Sequence, residues 1–232
     1  MTVHSTDPVG GWLERFASST PEAHVVDVGG GSGTRAVPLA QRGCTVLVVD
    51  ASTDALASLA RRAAEAGVSD RVSGLQGDAD QVAAMLPAGS ADLVLYHHVV
   101  QAVDDPARAL AAAAAVLRPG GRISVLVAGR LSAVLGHALA GRFGAAAAML
   151  AGDPGLDRRY DVPALRTLLE RAGFTVESIT GIGVVTGLAA ATGRAVSADE
   201  PALAELEQAM GTHPVLGQVA GDLHAVGTTP AR

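Results

Sequence analysis

Short apolar runs alternate along this chain with longer segments that carry apolar residues at helical spacing. The runs Val25–Val28 and Val46–Val49 are almost continuously apolar, which is typical of strands covered on both faces. The alternation predicts a parallel sheet with helices on either side. We predict five strands with four helices between them: strands Val25–Val28, Thr45–Asp50, Arg71–Gln76, Asp92–His97 and Arg122–Ala128, and helices Thr34–Arg42, Thr53–Ala66, Asp80–Leu86 and Pro106–Leu117.

The alternation breaks after Ala128. A segment rich in small residues, Leu131–Ala151, is interrupted by glycines and is too long for a tight connection, so it predicts a cap-like insertion over about 130–160. The rest of the chain predicts a helix, a sixth strand, a further helix and a final strand, at Val162–Ala172, Phe174–Ile182, Pro201–Met210 and around His224–Val226. We expect one domain over 1–232, with a core of about 22–128 and 162–230.

Composition narrows the class of protein. With 232 residues, 49% hydrophobic and 17% charged, the chain is long enough to bury a core. No apolar run reaches the ~18 residues of a membrane helix, and the lone Cys44 excludes a multi-cysteine metal site, so we expect a cytoplasmic protein without a metal. The net charge of −6 gives no overall field that attracts nucleic acid, and every basic residue is an arginine.

The most informative motif is the glycine-rich turn after the first predicted strand. Gly29, Gly30, Gly31 and Gly33 follow Val28 closely and precede a predicted helix. Glycines here allow positive φ and a close approach of the backbone to a ligand, which indicates a nucleotide-like cofactor. Gly31–Ala36 also fits the relaxed dinucleotide fingerprint, so an oxidoreductase that uses NAD, or a merely structural turn, remains open.

Three aspartates favour a cationic cofactor. Asp27 lies in the first strand just before the glycines, where it would repel a pyrophosphate and attract an ammonium or sulfonium. Asp50 ends the second strand and can accept ribose hydroxyls, and Asp78 follows the third strand and can accept from an adenine amino group. Because the carboxyl ends of parallel strands share one edge, these acids are expected to face one crevice.

These residues resemble the class I S-adenosylmethionine-dependent methyltransferases over roughly Val25–Ala128. The resemblance implies an α/β, Rossmann-like fold with a seven-stranded, mostly parallel sheet whose last strand is antiparallel and inserted between the fifth and sixth. It also implies that S-adenosylmethionine is bound and S-adenosylhomocysteine is the product. The cofactor-binding residues implied are Asp27, Gly29, Gly30, Gly31, Gly33, Asp50, Ala51, Gly77, Asp78, Ala79 and His97.

A closer resemblance, to the bacterial tRNA carboxymethoxyuridine methyltransferases, covers most of the chain after Val25. It rests on Tyr96–His97, Asp104–Pro106 and Arg171–Phe174, together with the glycine-punctuated segment after the fifth strand. The long N-terminal segment and the basic run that those RNA enzymes carry before their equivalent of Tyr160 are reduced here. The resemblance therefore implies methyl transfer more firmly than a tRNA substrate.

Further candidates concern the methyl acceptor. His97 ends the fourth strand and is our candidate catalytic base. The alternatives are that it lines the cofactor site or has a structural role. We expect His98 to pack under a helix. Arg130, Arg159 and Tyr160 fall in or beside the insertion and are our candidate substrate-binding residues. Arginine binds carboxylate or phosphate in a fork, which suits an anionic acceptor, although a solvated rim paired with Asp153, Asp157 and Asp161 explains the arginines equally well.

The sequence therefore predicts an enzyme that moves a methyl group from S-adenosylmethionine to a small molecule, with an anion as one acceptor class, by in-line displacement. A modified tRNA uridine is the alternative acceptor. A non-catalytic module that binds an adenosine cofactor is the alternative of another class. The acceptor atom and the oligomeric state are left open.

Overall fold

A seven-stranded sheet organises the part of the chain that the computed structural model describes, residues 7–152, 158–193 and 201–231. The strand order is β3-β2-β1-β4-β5-β7-β6; the first five strands are parallel, and β7 is antiparallel between β5 and β6. This topology confirms the predicted fold class. The strands are β1 (His24–Val28), β2 (Thr45–Asp50), β3 (Val72–Gln76), β4 (Ala91–His97), β5 (Leu117–Ala128), β6 (Thr175–Ile182) and β7 (Asp222–Thr228).

Helices flank the sheet on both faces. They are α1 (Pro8–Ser19), α2 (Ala36–Gln41), α3 (Thr53–Glu65), α4 (Val82–Met85), α5 (Pro106–Val116), α6 (Arg130–Leu139), α7 (Phe143–Ala151), α8 (Val162–Arg171), α9 (Val184–Ala191) and α10 (Pro201–Thr212). Short 3-10 turns lie at Ala79–Gln81 and Leu216–Val219. Aspartates cap α1, α5 and α8, where each side chain accepts a hydrogen bond from a backbone N–H of the first turn.

Several predicted bounds differ from the observed ones. Helix α2 begins at Ala36 instead of Thr34, because the positive φ of Gly33 extends the loop. The helix predicted at Asp80–Leu86 is a 3-10 turn followed by a single helical turn. The strand predicted at Arg122–Ala128 begins earlier, at Leu117, because Leu117 already pairs with Ala91 of β4.

The segment predicted as a cap consists of two helices, α6 and α7, which are separated by Ala140–Arg142. Helix α9 was not predicted from the sequence. Asp153 and Asp157, predicted as partners of the neighbouring arginines, lie outside the described residues.

The sheet separates two hydrophobic cores, which explains the continuous apolar runs. Val25 and Val46 pack with α1, α2 and α3 on one face, while Val26 and Val94 pack with α5 and α8 on the other. Successive residues of one strand point to opposite faces, so a strand buried on both sides needs apolar residues at nearly every position. Among the described residues, no helix is long and apolar enough to span a membrane.

Candidate active site

The candidate site lies where the strand order reverses, at the carboxyl ends of β1 and β4. β1 lies between β2 and β4, and the chain leaves these strands on opposite sides, which opens a crevice in a doubly wound sheet. A cavity of about 220 Å³ lies there. Its lining residues come from the glycine-rich loop and from the ends of β1, β4 and β5: Asp27, Gly29, Gly30, Thr34, Arg35, His97, His98 and Leu126.

The glycine-rich loop adopts a conformation that its sequence allows. Gly29, Gly31 and Gly33 have φ values of +68°, +57° and +81°, in the left-handed region that favours glycine. Gly29 also donates a hydrogen bond from its N–H to the carbonyl of Val49 (2.7 Å), which ties the loop to β2. At position 30 a glycine is needed because there is no room for a side chain: a Cβ there would lie 2.4 Å from Oδ2 of Asp27.

Asp50 holds this loop from the neighbouring strand. Its Oδ2 accepts a hydrogen bond from the N–H of Gly31 (2.9 Å), and its Oδ1 accepts one from the N–H of Ser52 (2.9 Å). A carboxylate oxygen has two lone pairs, so each oxygen can still accept a hydroxyl. Asp50 can therefore bind two adjacent hydroxyls while it supports the loop.

Asp27 is the most unusual group in the crevice. The residue is 2% exposed, and its Oδ2 is buried without a hydrogen-bond partner among the described residues. Burial raises the pKa of Asp27 to about 7; the charge of Arg35 opposes the rise, and that of Asp50 adds to it. A buried carboxylate that lacks a partner is suited to a cationic ligand group.

The predicted adenine-binding residues lie at the end of β3, beside Asp50. Gly77 donates its N–H to the carbonyl of Asp50 (3.2 Å), and the hydroxyl of Tyr96 donates to the carbonyl of Ala79 (2.7 Å). Asp78 is exposed and accepts a hydrogen bond from Nε2 of Gln81 (3.3 Å). The carbonyl of Ala51 accepts a hydrogen bond from Gln76 (3.3 Å). These residues lie outside the 220 Å³ cavity, on the open side of Asp50.

His97 lines the cavity and takes part in a buried network. Its Nε2 is 2.9 Å from Oγ of Ser124, and the same Oγ is 2.8 Å from Nε2 of His224. Nδ1 of His97 is buried without a hydrogen-bond partner among the described residues. Burial lowers the pKa of His97 to about 3 and that of His224 to about 4, so both rings are neutral at physiological pH.

His98 does not pack under a helix, as the sequence had suggested. Its φ of +60° breaks the alternation of β4, so the side chain is exposed and lines the cavity together with His97. Nε2 of His98 lies 3.9 Å from Oδ2 of Asp222. Burial raises the pKa of Asp222, against the opposing charges of His98 and Arg159.

The three candidate substrate residues do not lie together. Arg130 and Tyr160 line a separate groove of about 600 Å³ between α5 and α8, where Arg130 forms an ion pair with Asp161. Tyr160 is 8% exposed and belongs to the core under α5 and α8. Arg159 is half-buried, and its charge acts on Asp222, the acid whose Oδ2 lies 3.9 Å from Nε2 of His98.

Sequence reasoning missed three residues of the site. Arg35 lines the cavity and forms an ion pair with Asp7, and its position directly after the glycine-rich loop could have identified it. Ser124 and His224 join His97 only through the pairing of β4, β5 and β7. Nothing in the local sequence indicates that contact.

The donor and acceptor set fits S-adenosylmethionine. The unpartnered Oδ2 of Asp27 suits the ammonium group, Arg35, which also pairs with Asp7, suits the carboxylate, and the free lone pairs of Asp50 suit the ribose hydroxyls. The absence of a Cβ at Gly30 leaves room for the carboxyl group of Asp27 beside the loop.

Comparison with known proteins defines the class. Residues 26–125 match the family described as a methyltransferase domain. With this match, the strand order and the glycine-rich loop, the chain belongs to the class I S-adenosylmethionine-dependent methyltransferases.

Two curated relatives and one solved structure are similar to this chain. The tRNA 5-carboxymethoxyuridine methyltransferase of Escherichia coli is 34% identical over 168 residues, covering 69% of this chain and 62% of that protein. The 3-amino-4-hydroxybenzoate 4-O-methyltransferase of Streptomyces cremeus is 32% identical over 189 residues, covering 76% of this chain and 49% of that protein. The magnesium protoporphyrin IX methyltransferase of Synechocystis, solved with bound S-adenosylhomocysteine, shares the fold with a TM-score of 0.62 at 18% identity, over 97% of this chain and 82% of that one.

The match spans less than two thirds of the length of either curated relative. Their names therefore bear on the activity of this chain only as proposals.

Proposed function

We propose that this chain transfers a methyl group from S-adenosylmethionine to a small-molecule acceptor. The observation that carries the proposal is the buried, unpartnered carboxylate of Asp27 beside the glycine-rich loop. An anionic phosphate would be repelled there, whereas an ammonium group would satisfy Asp27. We further propose that the described ranges act as one domain; a cytoplasmic location stays a prediction.

Each group of the cofactor has a counterpart in the proposed site. Asp27 and Arg35 would hold the amino and carboxylate groups, with Gly29–Gly33 along the methionine part. Asp50 would accept the ribose hydroxyls, and Ala51, Gly77, Asp78 and Ala79 would surround the adenine. When bound, S-adenosylmethionine supplies an activated methyl group, so the chain mainly has to align the acceptor and exclude water.

The charges around the cavity support a small anionic acceptor. Arg159 has no ion-pair partner among the described residues, and His98 is exposed at the cavity, so both could receive an acid group. The groove that Arg130 lines shares no lining residue with the cavity of Asp27, which weakens its proposed role in substrate binding. The net charge of −6 disfavours a large polyanion.

A modified tRNA uridine is the second candidate acceptor, because the Escherichia coli relative at 34% identity carries that name. Incubation of the purified chain with radiolabelled S-adenosylmethionine and either bulk tRNA or a protein-free small-molecule extract separates the two. Label in the small-molecule fraction alone is expected; label in tRNA would overturn our choice of acceptor.

Calorimetry tests the cofactor itself. S-adenosylhomocysteine should bind and NAD should not. The dinucleotide fingerprint at Gly31–Ala36 lies next to the buried Asp27, which would repel the pyrophosphate of NAD. Binding of NAD alone would overturn the proposed cofactor in favour of a dinucleotide. Tight binding of S-adenosylhomocysteine without any labelled product would instead favour the non-catalytic module.

A further inference from the structure

The network of His97, Ser124 and His224 spans three adjacent strands. Ser124 of β5 lies between the two rings, with Nε2 of His97 at 2.9 Å and Nε2 of His224 at 2.8 Å from its hydroxyl oxygen. The two rings meet edge to face, with centroids 6.2 Å apart, and Trp12 of α1 covers His224 at 5.7 Å. Ser124 is fully buried, and His224 is 5% exposed.

The hydrogen bonds restrict the protonation of the two rings. A serine hydroxyl has one proton, so it donates to one Nε2 and accepts from the other. Since both rings are neutral, one histidine carries its proton on Nε2 and the other on Nδ1. Two arrangements are possible, and they differ in whether Nδ1 of His97 is a bare acceptor or an N–H donor.

Nδ1 of His97 is the ring nitrogen without a hydrogen-bond partner among the described residues, because Nε2 is bonded to Ser124, and it is buried beside the cavity that the residue lines. The same cavity contains Asp27, which we assign to the cofactor. A bare Nδ1 beside the cofactor is a base that can accept a proton from a bound acceptor. A carboxylate acceptor has no proton to lose at neutral pH, whereas a hydroxyl acceptor has one.

We propose that His97 removes the proton of an acceptor hydroxyl, and that Ser124 and His224 hold its proton-accepting tautomer and carry the proton away. This inference rests on the proposed function and adds the acceptor class: a phenol or alcohol, not a carboxylate. Ser124 and His224 are positioning residues, since they act through His97.

The step balances in atoms and charge. The acceptor oxygen bonds the methyl carbon, whose bond to sulfur breaks, while the hydroxyl proton passes to Nδ1 of His97. Nε2–H of His97 passes its proton to Oγ of Ser124, which passes its own to Nε2 of His224. The positive charge lost by the sulfonium is then on His224, and the products are a methyl ether and a neutral thioether.

The charges around the network are compatible with proton transfer from His97 towards His224. The charged or titratable groups that act on His97 are His224, Arg35, His98 and Asp7, with Asp27 in the same cavity. His224, Arg35 and His98 lower the pKa of His97 and so disfavour its cationic form, whereas Asp7 raises this pKa. The relay moves the charge from His97, with a pKa of about 3, to His224, with a pKa of about 4, where burial and Arg35 still oppose it but His98 does not.

Nitrogen-15 NMR of the histidine rings tests the tautomers without turnover. With and without S-adenosylhomocysteine, His97 should be protonated on Nε2 and His224 on Nδ1, and Ser124→Ala should convert His97 into a mixture of tautomers. His97 protonated on Nδ1 in the wild-type protein would overturn the proposal, because Nδ1 could not accept a proton.

The chemistry of the product tests the acceptor class. After incubation with radiolabelled S-adenosylmethionine and a small-molecule extract, mild alkali releases methanol from methyl esters and leaves methyl ethers intact. Alkali-stable label is expected. Alkali-labile label with intact cofactor binding overturns the relay alone, whereas no label and no binding of S-adenosylhomocysteine overturn the proposed function as well.

Variants separate the relay from a packing role. On a phenol from a hydroxybenzoate panel, His97→Asn should lower kcat about 100-fold or more, with binding of S-adenosylhomocysteine within a few-fold of wild type, and Ser124→Ala should lower kcat at least about tenfold with binding unchanged. Ser124→Thr, which keeps the hydroxyl, should restore most of the rate, and Ser178→Ala on the exposed side of β6 is the matched control. Equal kcat in Ser124→Ala and wild type would contradict the relay, as would a loss that Ser124→Thr does not reverse while the fold is intact by circular dichroism.

Discussion

Oδ2 of Asp50 accepts a hydrogen bond from the N–H of Gly31 at 2.9 Å, so the acid that ends β2 fixes the glycine-rich loop that follows β1. The other oxygen is bonded to the N–H of Ser52, also at 2.9 Å. Asp50 therefore has two functions in the proposed site: it shapes the loop, and its remaining lone pairs can bind ribose hydroxyls.

Asp50→Ala should weaken binding of S-adenosylhomocysteine by ~1–3 kcal/mol, or about 5- to 150-fold, because the ribose hydroxyls and the N–H of Gly31 lose their acceptor. Isothermal titration calorimetry measures the change. Asp54→Ala, which removes an exposed acid four residues further along the chain, is the control and should leave affinity unchanged. Equal affinity of Asp50→Ala and wild type would remove Asp50 from the site.

The buried Asp27 makes the stability of the free protein depend on pH. Burial raises its pKa from 3.8 to about 7, so between about pH 4 and pH 7 the folded chain binds more protons at this residue than the unfolded chain. The contribution of this group to the free energy of unfolding therefore falls as the pH rises through this window, and it is constant above it.

Asp27→Asn should remove that dependence. Urea unfolding at pH 5, 6, 7 and 8 should give a variant that is more stable than wild type at pH 8, with a difference that shrinks towards pH 5. The physical reason is that the neutral amide never has to ionise in the apolar surroundings of β1. A difference that stays constant across the four pH values would show that Asp27 is ionised throughout.

Cofactor binding should release a proton from Asp27. An ammonium group beside the carboxylate lowers its pKa, so at pH 6, where the free protein is mostly protonated at Asp27, binding requires the proton to leave. Calorimetry of S-adenosylhomocysteine binding at pH 6 in two buffers with different ionisation enthalpies counts the protons released. Release should approach one proton in wild type and vanish in Asp27→Asn, with Asp54→Asn behaving as wild type.

The positions of the three acids could be predicted because each depends on local sequence alone. Asp27 and Asp50 lie in or at the end of an apolar run, Asp78 closely follows β3, and parallel strands place their carboxyl ends at one edge of the sheet. His224 could not be predicted in this way. It lies 100 positions from Ser124 and reaches it only because β7 inserts antiparallel between β5 and β6.

The candidate substrate-binding residues in the predicted cap, in contrast, could not be assigned from local sequence. Arginine and tyrosine in an insertion suggest substrate binding, but the ion pair between Arg130 and Asp161 depends on the start of α8, where Asp161 also caps the helix. The sequence offered pairing with Asp161 as the alternative for these arginines, and the structure confirms it for Arg130, but local sequence could not decide between the two. The same limit applies to His98, whose exposure follows from a backbone φ of +60°.

At Gly30 of the glycine-rich loop, lack of space for a side chain, and not a positive φ, is the reason for glycine. Its φ is not in the left-handed region, yet a Cβ would lie 2.4 Å from Oδ2 and 2.5 Å from Cγ of Asp27. Gly30→Ala should therefore displace Asp27, destabilise the protein by ~1–3 kcal/mol and weaken binding of S-adenosylhomocysteine.

The matched control is Gly144→Ala in α7, where a Cβ would meet no atom within 4 Å and φ is helical. That variant should be neutral or more stable by up to ~1 kcal/mol, because alanine is favoured over glycine inside a helix. Thermal unfolding and calorimetry on both variants measure the two effects. Normal affinity in Gly30→Ala would mean that Asp27 can move away without loss of the site.

A carboxylate holds the start of α9, the helix that the sequence did not predict. Glu207 of α10 accepts hydrogen bonds from the N–H groups of Val184 (2.6 Å), Val185 (3.2 Å) and Thr186 (2.8 Å), and from the hydroxyl of Thr186 (2.8 Å). The first N–H groups of a helix have no partner within the helix, and an anion there is also favoured by the helix dipole.

Glu207→Ala should therefore lower the free energy of unfolding by ~1–3 kcal/mol, and Glu207→Gln by less. Glu205→Ala, which removes an exposed acid from the same helix, should have almost no effect. Urea unfolding at pH 7 compares the three, and equal losses at positions 205 and 207 would show that Glu207 contributes only its charge.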